Sequence, residues 1–135
     1  MENQQNSPLF VLYCMKKIAF ILLVIFYLVA GANHFINPSF YSGLIPPYLP
    51  LHNTINIVSG IAEILLALLL IPPKTRRSAV TGIIILLACF IPAHIYFIQI
   101  NSCIPDGLCV PGWLGWVRLL LIHPLLMAWA WWCRK

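Results

Sequence analysis

The stretch Asn53-Thr54-Ile55-Asn56-Ile57-Val58-Ser59-Gly60-Ile61-Ala62-Glu63-Ile64-Leu65-Leu66, which runs on without a polar residue to Ile71, decides how the chain is read. Its length and apolar content suit a helix crossing a bilayer, where about 20 residues at 1.5 Å per residue span the hydrocarbon. Yet it carries Glu63, one of only three acidic residues in the chain. A carboxylate at such a depth costs roughly 2.5–3.5 kcal/mol on insertion scales, so it faces a bundle interior, needs a partner and marks a site.

Working outward, the same composition recurs. The 135 residues are 61% hydrophobic and 8% charged, with a mean hydropathy of +0.92. Soluble domains carry about 25% charged residues, so an ordinary globular protein is excluded. Four spans are predicted at 17–36, 54–71, 79–100 and 114–132, giving an all-α bundle of four transmembrane helices. A short polar segment, 1–16, precedes them and a tail, 133–135, follows.

Seven of the eight basic residues fall on one side of this arrangement: Lys16, Lys17, Lys74, Arg76, Arg77, Arg134 and Lys135. By the positive-inside rule that side is cytoplasmic, and so are both termini. The +5 net charge is thus a topology signal. With no solvated domain to carry it, nucleic acid is not an expected partner and the lipid bilayer is. Tyr41, Tyr48, Trp113 and Trp116 are expected in the outer aromatic belt, and Trp129, Trp131 and Trp132 in the inner one. Lys16-Lys17 before Ile18–Val29 and Ala30-Gly31-Ala32 also has the outline of a cleavable signal peptide. The apolar stretch continues past the small residues to Ile36, which favours a retained span.

In the second span Asn56, Ser59, Gly60, Glu63 and Ala67 lie at offsets of 3, 4, 7 and 11, on one helical face. The first span has a matching stripe at Tyr27, Ala30, Gly31 and His34. Pro92 in the third span frees the carbonyl of Ala88, and Pro124 in the fourth frees that of Leu120. His94 and His123 sit beside these prolines, suggesting a local cavity. Arg118 is the basic residue off the cytoplasmic side. It is read either as snorkelling to the outer headgroups or as the partner of Glu63. His34, Ser59, Glu63, His94, Arg118 and His123 are therefore the candidate ligand-binding residues of a cavity in the outer half, expected to open outward. Arg118 and His123 are about 140° apart on an ideal helix, so they share a face only if the Pro124 kink rotates it. The bland alternative is a set of neutral, hydrogen-bonded struts fixing helix pairing. No catalytic residue and no metal site stands out.

Cys103 and Cys109 flank a Pro105-Asp106-Gly107 turn in an outer loop, and a structural disulfide is the favoured reading. A redox-active pair is the alternative. Cys14, Cys89 and Cys133 are scattered thiols.

Gly31-Ala32-Asn33-His34-Phe35 with Pro38, then Pro46-Pro47-Tyr48-Leu49-Pro50, Ser59-Gly60-Ile61-Ala62-Glu63, the basic loop Pro73-Lys74-Thr75-Arg76-Arg77, Pro92-Ala93-His94-Ile95-Tyr96 and Val117-Arg118-Leu119 with Trp129 follow one another in order. Together they resemble DoxX-like membrane proteins over 17–132. The resemblance implies a small multi-pass protein of a bacterial plasma (inner) membrane, associated with redox chemistry. It would bind a small quinone-like or thiol substrate, with a partner redox subunit or a second copy of itself. The quinone would be substrate rather than resident cofactor. The alternative is a non-enzymatic protein that binds a lipid or small solute, or assists assembly of a partner complex.

Overall fold

The computed structural model describes residues 8–105 and 107–135. Among them every regular element is helical: α1 Pro8–Ile36, α2 Pro38–Ser42, α3 His52–Leu70, α4 Pro73–Gln99, α5 Trp113–Val117, a π-helical turn over Arg118–Ile122, and α6 His123–Trp132. Four helical spans, Pro8–Ile36, His52–Leu70, Pro73–Gln99 and Trp113–Trp132, are long and apolar enough to cross a membrane.

Two starts follow from proline, whose fixed φ and missing N–H suit the first helical turn: Pro38 and Pro73. The first helix already includes Pro8, nine residues before the start of the predicted span. Leu9–Met15 is apolar throughout, and Lys16-Lys17 sits inside the helix instead of bounding it. Only 1–7, which lie outside the described residues, remain of the segment read as polar. The third helix likewise starts earlier than predicted, at Pro73, because Lys74, Arg76 and Arg77 form its first turns. Arg76 donates from Nε to the carbonyl of Leu70 (3.0 Å) and from Nη2 to that of Ile71 (3.1 Å). Those are orphan acceptors at the end of α3, and a cation there also complements the helix dipole. The same guanidinium lies 4.3 Å from the Phe20 ring centroid, tying the α3–α4 corner to α1.

The helices form a ring. α1 packs most extensively on α3, α3 on α4, α4 on α6 and the π turn, and α6 closes thinly on α1. The α1–α3 seam is close because two glycines meet there. A Cβ on Gly31 would fall 2.7 Å from Ile64 Cγ1 and 2.8 Å from the carbonyl oxygen of Gly60. One on Gly60 would fall 2.7 Å from His34 Cβ. Small residues permitting such backbone approach are the usual adhesive of membrane bundles. At the α6–α1 closure, Trp129 Nε1 donates to the carbonyl of Ala19 at 3.1 Å.

Toward the basic end the bundle is solid, with Leu23, Val24, Ala67, Leu70, Val80, Ile83 and Ala130 buried in one cluster. A smaller cluster, Leu44, Phe97 and Ile104, joins the two loops at the opposite end. Cys103 and Cys109 are disulfide-bonded around Ile104. Asp106 of that turn lies outside the described residues. Cys14, Cys89 and Cys133 are free thiols. Burial raises the Cys133 thiol above its ordinary range, with Lys16 and Arg76 opposing, so it stands as a neutral thiol.

Candidate functional site

Between the solid core and the loop cluster lies a cavity of about 320 Å³. His34, Ser59, Glu63, His94, Arg118 and His123 all line it. The helical stripes explain half of this convergence: Tyr27 and His34 on α1, and Asn56, Ser59 and Glu63 on α3, are the buried positions of their helices. The remainder comes from backbone irregularity in the fourth span.

On the α1–α3 wall the hydrogen bonds settle the chemistry of His34. Asn56 Nδ2 donates to the carbonyl of His34 at 2.9 Å, which fixes the amide orientation. Asn56 Oδ1, an acceptor only, then faces His34 Nδ1 at 2.7 Å, so Nδ1 carries the proton. His34 Nε2 is left 3.6 Å from Glu63 Oε2. In a neutral His34 that nitrogen is an acceptor, so a hydrogen bond between the two requires one shared proton, on the carboxyl or on the imidazole. Glu63 Oε2 and the Tyr27 hydroxyl are both buried and have no hydrogen-bond partner. A buried polar atom without a partner costs free energy, which a ligand in the cavity would recover.

The opposite wall comes from α4 and the fourth span. His123 Nε2 donates to the carbonyl of Leu87 at 2.8 Å, leaving Nδ1 as the free acceptor. That carbonyl is the neighbour of Ala88, the acceptor expected from the Pro92 kink. His94 meets His123 edge to face, with ring centroids 4.6 Å apart. Arg118 joins them because residues 118–122 form a π turn. The Pro124 ring crowds the carbonyl four residues back, and the wider π turn relieves that crowding while carrying residues five apart toward one face.

Of the two readings of Arg118, a direct ion pair with Glu63 is not found among the described residues. Glu63 has His34 within 4.0 Å, and the Arg118 guanidinium sits 5.5 Å from the Phe97 ring centroid with no ion pair among the described residues. The reason is geometric: Glu63 follows the α1–α3 seam, while the π turn holds Arg118 on the far wall. Tyr41, Leu44, Ile45 and Leu49, from the loop between α1 and α3, also line the cavity.

Tyr41, read from the sequence as an outer-belt aromatic, stacks on His34, centroids 3.6 Å apart at 22°. Asn33 Nδ2 donates to its hydroxyl at 3.0 Å, leaving the phenolic proton for another acceptor. Burial raises the Tyr41 hydroxyl above its ordinary range despite that opposing hydrogen bond, so it stands as a neutral donor. Tyr27, Tyr41 and Asn56 are the site residues that sequence reasoning left out of the cavity. The first and last were legible: each lies seven residues, two turns, before a chosen residue on its own stripe.

Among the described residues no three His, Cys, Asp or Glu side chains converge as metal ligands. Residues 23–134 match the family described as a domain of unknown function (DUF8561), and the chain belongs to that family. No curated protein and no solved structure matches it.

Proposed function

We propose that this multi-pass membrane protein binds a small quinone-like molecule in its cavity and serves a redox partner, with the basic ends of its helices on the cytoplasmic side of a bacterial inner membrane. One observation carries the reading: two polar walls face each other across a mainly apolar space, and Glu63 Oε2 and the Tyr27 hydroxyl stand without a hydrogen-bond partner in one of them. A quinone head is flat and apolar on its faces, with acceptor oxygens at opposite ends. Tyr27 supplies a donor on one wall and Arg118 on the other. When the quinone takes up two electrons and two protons, each oxygen becomes a hydroxyl that needs an acceptor. The His34–Glu63 pair and His123 Nδ1 supply those. The chain shows no haem, flavin or dinucleotide motif, so the electrons come from a partner. The DoxX-like resemblance adds weight to a redox setting.

Native mass spectrometry of the wild type beside Glu63→Gln and Arg118→Leu tests this. A quinone retained by the wild type and lost from both variants supports it. Wild type that retains no quinone after incubation with one overturns it.

A second reading, a binder of an anionic lipid or solute without turnover, is favoured by Arg118. Its guanidinium lines the cavity with no carboxylate beside it, and an anionic head would supply one.

A further inference from the structure

A second hollow, about 400 Å³, lies between α3 and α4. It shares Ile55, Ser59, Cys89 and Phe90 with the polar cavity, so those four side chains form the common wall. Val58, Ala62 and Leu86 line the hollow alone. Its position in the bilayer follows from α3: Val58 and Ala62 lie six and ten residues in from His52, about 9 and 15 Å at 1.5 Å per residue. That is hydrocarbon depth, well below the headgroups.

The helices part here for identifiable reasons. Lower down they touch, since a Cβ on Gly82 would fall 2.5 Å from Leu66 Cδ2. Higher up, α4 passes through Pro92, which removes a donor from its hydrogen-bond ladder. The residues that would have to fill the gap, Ser59, Ala62 and Cys89, are small. Val58 is exposed on the outer rim, 58% accessible, so the hollow meets lipid.

We infer that this cleft holds the hydrocarbon tail of the ligand, which enters sideways from the bilayer between α3 and α4. The ligand is then a single-tailed amphiphile that partitions into membranes, and not a water-soluble thiol or a bare ring. Three observations converge on that class. Loop residues Tyr41, Leu44, Ile45 and Leu49 line the polar cavity beside its helices, and Leu44 is held in the buried Leu44–Phe97–Ile104 cluster. The cleft adjoins the cavity across that common wall, two of whose four side chains, Ser59 and Cys89, are small, and its lining is apolar apart from Thr54 and Ser59. Head and tail thus have separate, adjoining compartments. The inference rests on the cavity being a head-group site, as proposed above.

The experiment uses the full chain in phosphatidylcholine vesicles and two photoreactive probes, each with a diazirine in a decyl tail. One bears a benzoquinone head and the other a carboxylate. After irradiation, the labelled peptides are mapped by mass spectrometry in the wild type, Ala62→Trp and Val58→Trp. Val58 is an exposed residue on the rim of the cleft, so a tryptophan there covers its mouth with less strain on the helix packing if Ala62→Trp fails to fold. The expected result is label concentrated several-fold on 55–62 and 86–90 over the lipid face of α1, and lost when either tryptophan fills the cleft. Label spread in proportion to lipid exposure, or unchanged in both variants, overturns the inference. The quinone reading fails differently: cleft labelling by both heads, with no competition from a tail-less benzoquinone, removes that reading and leaves the tail path standing. Competition by the tail-less quinone without cleft labelling does the reverse.

Discussion

The backbone N–H of His123 donates to the carbonyl of Arg118, five residues back, and the π turn this bond closes brings both side chains to the cavity. In a continuous α-helix the two would diverge by about 140°. Here both line the same hollow, with His123 further held by the carbonyl of Leu87. π turns are rare and often mark functional sites.

Pro124→Ala tests what maintains that turn. Proline in a helix interior costs about 3 kcal/mol relative to better helix formers. Removing it therefore leaves thermal stability unchanged or raised. It also lets the fourth span return to α-helical register, swinging Arg118 away from His123. Ligand affinity is expected to fall about tenfold, equivalent to about 1.4 kcal/mol. Unchanged affinity would mean the π turn is held by its neighbours and not by Pro124.

Asn56→Leu removes the two buried hydrogen bonds that orient His34. In water, stranding a buried donor costs about 1–3 kcal/mol. In membranes the unfolded reference state also finds partners, and measured interhelical hydrogen bonds average about 0.6 kcal/mol. The expected loss is accordingly about 1 kcal/mol in a mixed-micelle unfolding assay. The chemical consequence is larger: His34 loses the acceptor that fixes its tautomer, and Nε2 no longer stands as a defined acceptor for Glu63. Ligand affinity should fall further than stability does, and equal losses would reduce Asn56 to a packing role.

These two variants mark the boundary of what the sequence discloses. The α3 stripe was legible because Asn56, Ser59, Gly60, Glu63 and Ala67 repeat at helical spacing, and periodicity reports a buried face directly. The partner of Glu63 was not. Partner choice depends on how closely α1 meets α3, set by Gly31 against Gly60, and periodicity on one helix says nothing of that distance. The π turn was hidden for a related reason. Pro124 announces a disturbance, but a kink, a 3₁₀ turn and a π turn all answer the same missing N–H. The stacking of Tyr41 on His34 was hidden because an aromatic beside a predicted interface looks the same whether it faces headgroups or folds back over a histidine.

Removing the Cys103–Cys109 bond should act on the cavity at a distance. The bond closes a short loop around Ile104, whose side chain packs with Leu44 and Phe97 beside the outer lining of the cavity. Chain-entropy arguments give about 2 kcal/mol for so short a loop. Cys103→Ser with Cys109→Ser is expected to lower stability by roughly that amount. The ligand should dissociate faster, because Ile104 no longer braces Leu44, while the association rate changes little if entry is lateral. Stopped-flow dissociation of bound ligand, with and without a reductant, provides the check. Equal off-rates in both forms would detach the loop from the site.

Arg118→Leu separates the two accounts of the charged residues most sharply. Were Arg118 the buried partner of Glu63, removing it would strand a carboxylate and cost about 3–5 kcal/mol. In the structure Glu63 is 3.6 Å from His34, and Arg118 rests beside Phe97 without an ion pair. Its removal takes away one desolvated cation and strands nothing. A leucine fills part of the same volume. Thermal stability in detergent is therefore expected to hold within about 1 kcal/mol of wild type, or to rise, as when apolar residues replace buried charge elsewhere. Ligand affinity should nonetheless drop about tenfold, or about 1.4 kcal/mol, because the guanidinium's donors meet the ligand alone. A large loss of stability with affinity preserved would reinstate the Glu63–Arg118 pair. The cavity would then be a by-product of that pairing.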